Sequence, residues 1–388
     1  MSALRNRFAA MSSVPAGEAG IDWLLLLFLL PILAAGLVTM KSFGLNPAGL
    51  GFFERQLIWI GLSLIIFFIF GSLDIRFLKR TGVLVSLFLF FSGLLVIIFV
   101  LGHATHGAKS WFSLGGFSFQ PADFMKLVVI LILAKYFSRR HVEIRNIKHI
   151  FISGLYALIP FLLVFLQPDF GSAIIIFLIW FGMALVSGIS KKHLLVIFAI
   201  GSVAFVGLWF FAFHQYQKDR IINFLNPLYN IHGSGYNAYQ STIAVGSGQI
   251  FGKGIGYGTQ SRLQFLPEYQ TDFIFAAFAE EWGFVGVLLL FLLFGLVVWR
   301  ILRTALVGAS NFEMLYGMGV AIFFMSHFII NVGMNMGLMP VTGITLPFMS
   351  YGGSHLLTEF SALGILMGMR RYSRTVHRDV LKNEFVGM

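Results

Sequence analysis

Residues 266–302 read LPEYQTDFIFAAFAEEWGFVGVLLLFLLFGLVVWRIL, and this passage decides the fold. A polar stretch that opens near Gln215 closes at Thr271, and from Asp272 onward the chain is almost wholly apolar for 31 residues. As a helix that run is more than long enough to cross the roughly 30 Å of bilayer hydrocarbon. A carboxylate placed where a loop enters hydrocarbon is expensive, so Asp272 needs a reason to be there.

Apolar runs of comparable length recur on both sides of this one. They lie near 22–40, 54–72, 80–102, 122–138, 150–167, 171–188, 193–214, 272–302, 312–336 and 352–370. The chain has 388 residues, 58% of them hydrophobic and only 11% charged, with a mean hydropathy of +0.86. That composition excludes an ordinary soluble domain and predicts a polytopic membrane protein. The segments are too long for barrel strands, and a helix satisfies its own backbone groups in lipid. The expected fold is therefore all-α, with ten transmembrane helices in a single domain over 1–388 and one long outward-facing loop between helices 7 and 8.

Basic residues set the orientation. Of the 27 Lys and Arg, 18 fall on the face shared by both termini, among them Arg5, Arg76, Arg139, Lys191, Arg300 and Arg370. Seven fall on the other face: Lys41, Arg55, Lys109, Lys218, Arg220, Lys253 and Arg262. This places residues 1–20 and 371–388 in the cytoplasm as tails and makes 215–271 a large extracytoplasmic loop. The net charge of +11 follows from the same asymmetry and from anionic lipid headgroups, so no nucleic-acid partner is implied. Without cysteine there is no disulfide or thiolate chemistry. Residues 1–20 are too polar for a cleaved signal peptide, and the first span is expected to stay as an anchor.

The polar motifs that could carry chemistry gather on the outer face. Asp272, with Glu268 just before it, reads either as a helix N-cap or as a general base or cation anchor at an outward cavity. Asp123 and Lys126 open the fourth span three residues apart, so they share a helix face and can pair. A buried Lys in a membrane normally faces water or an anion, which favours a working pair over a helix lock. Lys109 and Trp111 precede that span, and Asp169 follows the fifth, where turn and cap chemistry is the competing reading. Arg220, Lys253 and Arg262 accompany the glycine-rich run 246–258 in the long loop. Amides and cations of this kind suit a diphosphate, although the spacing matches no nucleotide fingerprint.

Residues 331–354 pack Gly and Pro between two spans, which means irregular backbone at membrane depth lining a cavity or buried in protein. Pro31 and Pro160 should kink or break their helices. Glu280, Glu281 and Glu359 lie deeper in spans eight and ten as packing or pairing groups. His103 and His106 fit no zinc spacing.

Together these strings resemble the SEDS family of bacterial membrane glycosyltransferases that polymerise peptidoglycan. The strings are GAKSW (107–111), QPADFMKL (120–127), QPDFGS (167–172), DRIINFLNP (219–227), GKGIGYGTQSRLQFLPEYQTDFIFA (252–276) and LMPVTGITLPFMSYGGS (338–354). The FLNP and FLPEYQTDF wording is more like the elongation branch than the division branch. The resemblance implies a ten-span fold and transfer from lipid II on the outer face of the cytoplasmic membrane, with undecaprenyl diphosphate leaving. It implies Asp272 as the essential acid and Asp123 with Lys126 as the acid–lysine pair, although the family usually has Glu at position 123. It further implies a class B penicillin-binding protein, a transpeptidase, as partner, together with other elongation-machinery proteins. No cofactor is certain; a divalent cation, Mg²⁺ or Mn²⁺, shared between Asp272 and a diphosphate is the metal reading left open. A lipid-linked precursor flippase or transporter is the rival class, kept alive by Glu280, Glu281 and Glu359.

Overall fold

The computed structural model describes residues 20–43, 51–101, 110–114, 117–139, 147–211, 213–263, 265–266, 268–308 and 310–384. Lys109, His103 and His106 lie outside the described residues, as do 1–19 and 385–388 of the two expected tails; residues 371–384, expected as tail, continue the last helix. Ten longer helices occupy the ten expected positions. They are α1 (Trp23–Phe43), α2 (Phe52–Ser72), α3 (Thr81–Leu101), α4 (Pro121–Arg139), α5 (Ile147–Leu166), α6 (Phe170–Val186), α7 (Lys191–Phe211), α11 (Ile274–Leu306), α12 (Asn311–Asn335) and α13 (Gly353–Glu384). A two-stranded hairpin, β1 (Phe112–Leu114) with β2 (Phe117–Phe119), leads into α4.

Among the described residues seven of these helices, α1, α2, α3, α5, α7, α11 and α12, are long and apolar enough to cross a membrane. Helix α6 is apolar but has only 17 residues. Helices α4 and α13 carry more charge, with Asp123, Lys126 and Lys135 on one and Glu359 and Arg370 on the other. The chain is a multi-pass helical membrane protein, and among the described residues length with apolarity marks seven of the ten expected spans as able to cross.

The core runs through α4, α12 and α13. Almost every residue from Pro121 to Ala134 is buried, and α12 and the described part of α13 are nearly as enclosed. Helix α13 packs along α2, and α12 packs against α11, α4 and α6. By contrast α7 contains no buried residue and lies at the rim, with side chains such as Val203 and Phe210 exposed. Pro31 and Pro160 sit inside α1 and α5, and both helices run through them. Pro340 and Pro347 instead fall in the non-helical stretch between α12 and α13.

The segment expected to be one long loop is mostly helical. It contains α8 (Gln215–Leu225), α9 (Tyr236–Ser247) and the short α10 (Thr259–Arg262). Helix α9 packs on α11 and α12, and α10 touches α11 and α1.

The expected continuous span from 272 to 302 is broken at Gly283, whose φ of 64° and ψ of −168° lie outside any helix. A break exposes backbone groups that lipid cannot satisfy, and the glycine-rich run satisfies them. Lys253 and Gly254 donate their N–H groups to the carbonyls of Glu280 and Glu281, at 3.0 Å each. Phe284 and Val285 donate to Gln249 and Ile250, at 2.9 and 3.1 Å. Gly252 has φ +81°, and a Cβ there would strike the Glu281 carbonyl. The glycines are needed because two backbones approach closely and because no L side chain adopts these angles cheaply.

Candidate functional site

Sequence places Asp272 one residue before an apolar helix, and the helix starts one residue later than a cap at Asp272 would require. The N-cap position falls on Phe273, which makes no side-chain cap bond. What fixes Asp272 is its backbone: its carbonyl accepts from Asn331 Nδ2 at 2.9 Å and Asn335 Nδ2 at 3.0 Å, both on α12. Asn331 Nδ2 also donates to the Ile344 carbonyl at 2.6 Å, tying the 340s segment to the same point. Ser350 Oγ donates to the Thr271 carbonyl at 2.7 Å and Tyr351 N to the Gln270 carbonyl at 2.8 Å. The half-buried Asp272 is thereby aimed at Gly343, where a Cβ would stand 3.4 Å from Asp272 Oδ2.

Residues 336–352 are the irregular backbone expected at depth. Phe348 holds φ +62° and is buried. Strain of this sort in a non-glycine costs of order 1–3 kcal/mol and persists only where the surroundings over-determine it. Here Glu359 accepts from Phe348 N at 3.1 Å, and the ring packs edge-on against Phe324 and Phe360.

The other side of this segment meets α4. Ser354 Oγ accepts from Gln120 N at 3.1 Å and donates to the Gln120 carbonyl at 3.2 Å. One turn further on, Lys126 Nζ donates to Asp123 Oδ1 at 3.0 Å, and both side chains are about 97% buried. The spacing of three residues did predict this pair. Sequence reasoning missed the histidines around it. His355 lies with Nδ1 3.5 Å from Asp123 Oδ1 and Nε2 3.0 Å from Glu359 Oε1. His327 stacks on His355 with centroids 4.5 Å apart, and its Nδ1 is 3.2 Å from the Thr345 carbonyl. The legible signal was four-residue spacing: His355 and Glu359 share a face of a helix that follows a Gly-Gly turn.

Asp169 caps α6 through Ser172 N at 2.9 Å, so its cap reading holds in the fold. Its second oxygen accepts from Gln120 Nε2 at 2.8 Å, which brings it to the mouth of α4. Tyr216 on α8 approaches from outside, its hydroxyl 3.4 Å from the Pro168 carbonyl and its ring under Arg220 at 5.8 Å. Partial burial pushes the Tyr216 phenol up; Arg220 opposes the shift and Asp169 adds to it. Trp111 is half-buried beside the hairpin.

Other candidates are placed elsewhere. Lys253 Nζ pairs with Glu280 at 2.7 Å and donates to Thr259 Oγ1 at 2.9 Å. Glu280, fully buried, also accepts from Thr259 N and Gln260 N at 2.9 and 3.2 Å. Glu281 accepts from Gly256 N at 2.7 Å. Both glutamates therefore anchor the glycine-rich wrap, in keeping with their reading as buried packing or pairing groups, and Lys253 is held by Glu280 and Thr259. Arg262 is exposed at the end of α10. Glu268 turns back on its own loop, accepting from Thr271 Oγ1 at 3.3 Å. Burial pushes the nearby Tyr269 phenol up. Among the described residues no group of three His, Asp or Glu side chains could hold a metal ion.

The sequence model of a family described as "Cell cycle protein", which groups FtsW, RodA and SpoVE, matches residues 21–375. Stage V sporulation protein E of Bacillus subtilis is 38% identical over 364 residues, covering 91% of this chain and 98% of that protein. Peptidoglycan glycosyltransferase MrdB of Escherichia coli K12 is 35% identical over 361 residues, covering 93% and 96%. A solved chain described under "Structural coordination of polymerization and crosslinking by a peptidoglycan synthase complex" superposes with a TM-score of 0.77 at 31% identity, covering 91% of this chain and 98% of that one. The chain belongs to the FtsW, RodA and SpoVE family of multi-pass membrane proteins, the SEDS family.

Proposed function

We propose that this chain is a peptidoglycan glycosyltransferase that polymerises lipid II on the outer face of the cytoplasmic membrane during cell elongation. Asp272 is the general base: it takes the proton from the C4 hydroxyl of one lipid II as that oxygen attacks C1 of the growing glycan's terminal sugar. The C1–oxygen bond to the carrier breaks, and undecaprenyl diphosphate leaves with the bonding pair. The observation that carries this reading is the fixing of Asp272 by α12 and by residues 350–351, with its carboxylate turned to Gly343. A base held this firmly needs little reorganisation in the transition state, and general-base assistance is worth roughly 10²–10⁴ in rate.

Asp123 and Lys126 form the second charged group, with Lys126 set to stabilise charge on the departing diphosphate. Arg220, Arg262, Asp169, Glu268 and Trp111 stand as outer substrate contacts, with Lys109 expected alongside Trp111. Lys253 acts on the substrate only through the loop that it holds. Asp272 suits a cation shared with substrate phosphates, Mg²⁺ or Mn²⁺, rather than a dedicated protein cage. Such an ion would add charge stabilisation at the diphosphate.

The basic-residue asymmetry supports cytoplasmic termini and an outward 215–271 segment. The FLNP and FLPEYQTDF wording supports the elongation branch, and the resemblance to a chain from a synthase complex supports a class B penicillin-binding protein as partner. A flippase would need charge distributed for alternating access, whereas Glu280 and Glu281 are spent on the glycine-rich wrap. The test is reconstitution of the full chain, with and without a transpeptidase partner, on labelled lipid II. Glycan ladders from wild type and none from Asp272→Asn are expected. Lipid translocation without ladders would assign the flippase reading instead.

A further inference from the structure

Building on that reading, we propose that His355 is a positioning residue, which holds Asp123 against Lys126 by bridging it to Glu359. Nothing in the residues' spacing along α4 requires a third partner for this pair, yet His355 Nδ1 approaches the same oxygen, Asp123 Oδ1, that Lys126 holds. Asp123 is 3% exposed, and only its Oδ1 is engaged; Oδ2 is buried with no hydrogen-bond partner. A carboxylate held through one oxygen depends on every group at that oxygen for its position, and a base or ion pair displaced by about 1 Å can cost about a hundredfold in rate.

The imidazole of His355 fills the space between this carboxylate and that of Glu359, approaching them at 3.5 and 3.0 Å. These are close approaches of charge rather than linear hydrogen bonds, since neither ring nitrogen has a hydrogen-bond partner. Lys126 supplies one positive charge against two buried carboxylates, and the imidazole between them is the group able to supply another. Glu359 is itself fixed, because Phe348 N donates to both of its oxygens at 3.1–3.3 Å. The His327 ring lies tilted against that of His355, with centroids 4.5 Å apart, and its Nδ1 reaches the Thr345 carbonyl at 3.2 Å. The chain Lys126–Asp123–His355–Glu359–Phe348 thus joins α4 and α13 to the irregular segment that also holds Asp272.

This arrangement makes the identity of residues 123 and 355 interdependent. A Glu at 123 carries its carboxylate one carbon further, and with His355 Nδ1 already 3.5 Å from Asp123 Oδ1 it is expected to crowd the imidazole. Asp123→Glu should therefore be harmful with His355 present and tolerated when His355 is truncated. The experiment is a double-mutant cycle in the full chain: wild type, His355→Ala, Asp123→Glu and the double variant. Each is assayed for kcat and KM on lipid II and for thermal unfolding in the same detergent.

His355→Ala should lower kcat roughly 10- to 100-fold with KM changed less than threefold. Asp123→Glu should lower kcat as well, and the double variant should recover at least tenfold over His355→Ala. The melting temperatures should be non-additive in the same sense, a readout that needs no substrate. Additive melting temperatures, or a folded His355→Ala with wild-type kcat, would overturn the bridge. If His355→Ala alone does not fold, the double variant decides: folded and active supports the bridge, and unfolded or inactive overturns it. A wild-type chain that makes no glycan from lipid II is a failure of the proposed activity, and the melting cycle still judges the bridge.

Discussion

Two buried charge clusters in this molecule use the same kinds of residue for different ends. At one, Asp22 before α1 receives Arg300 of α11 at 2.6 and 3.1 Å and Arg370 of α13 at 2.9 Å, with Leu25 N at 3.2 Å completing its shell. Both oxygens are fully occupied. At the other, Asp123 meets Lys126 through one oxygen while the second has no hydrogen-bond partner, next to two histidines and a strained Phe348. Saturation marks a clamp, since nothing further can bind without breaking a bond already made. An unsaturated buried carboxylate beside irregular backbone marks a site, because its cost must be recovered by something that the fold alone does not supply.

The largest expected effect is at Asp272, which the irregular segment also holds. Asp272→Asn should abolish polymerisation, by at least about a thousandfold, while membrane insertion and melting temperature stay near wild type. Labelled lipid II would reveal it, and an active variant would remove Asp272 from the chemistry. Lys126→Ala should follow with a loss of about a hundredfold in kcat, because Asp123 is left buried and unpaired. A matching fall in stability with an unchanged rate per folded molecule would turn the pair into a helix lock and erase its difference from the Asp22 clamp.

At the saturated cluster the expected pattern is the reverse. Asp22→Asn should cost about 3 kcal/mol of stability by leaving two buried arginines short of a charge partner, yet polymerise at the wild-type rate per folded molecule. Thermal unfolding and rate, measured together, separate the two clusters directly. Gly283→Ala should cost about 1–3 kcal/mol from backbone strain alone, more if the wrap is displaced, read from the melting temperature. Lys253→Ala is expected to be mildest: Glu280 keeps its amide and hydroxyl donors, and the side chain of Lys253 is 30% exposed. A fall of a hundredfold in rate would give Lys253 back to the diphosphate.

Much of this was legible in the chain. Apolar length placed the longer helices within a few residues, except that the last, expected to end at 370, runs on to Glu384, and a spacing of three predicted the Asp123–Lys126 pair. The glycine-rich run is legible as a place of close backbone approach, but its partners are not: Lys253 and Gly254 give their amides to the carbonyls of a broken helix, and Gly256 gives its amide to the Glu281 carboxylate. The break itself was hidden because Glu-Trp-Gly-Phe at 281–284 sits within an otherwise unbroken apolar run, and hydropathy averages over φ and ψ. His355 was hidden for another reason. A lone histidine on an apolar helix has no local partner except Glu359, and its significance depends on Asp123, which is 232 positions earlier.

By itself the sequence determined that the chain is a helical membrane protein, where its helices lie, and which acids and cations are costly enough to need a purpose. Those conclusions rest on transfer energies, which are summed residue by residue along the chain. Only the tertiary structure decided that Glu280 holds a loop, that Asp272 is fixed by its own carbonyl, and that Asp123 leans on a histidine from another helix. Those are pairings in space, and a carboxylate's role depends on which donors reach it and which of its oxygens they leave unfilled.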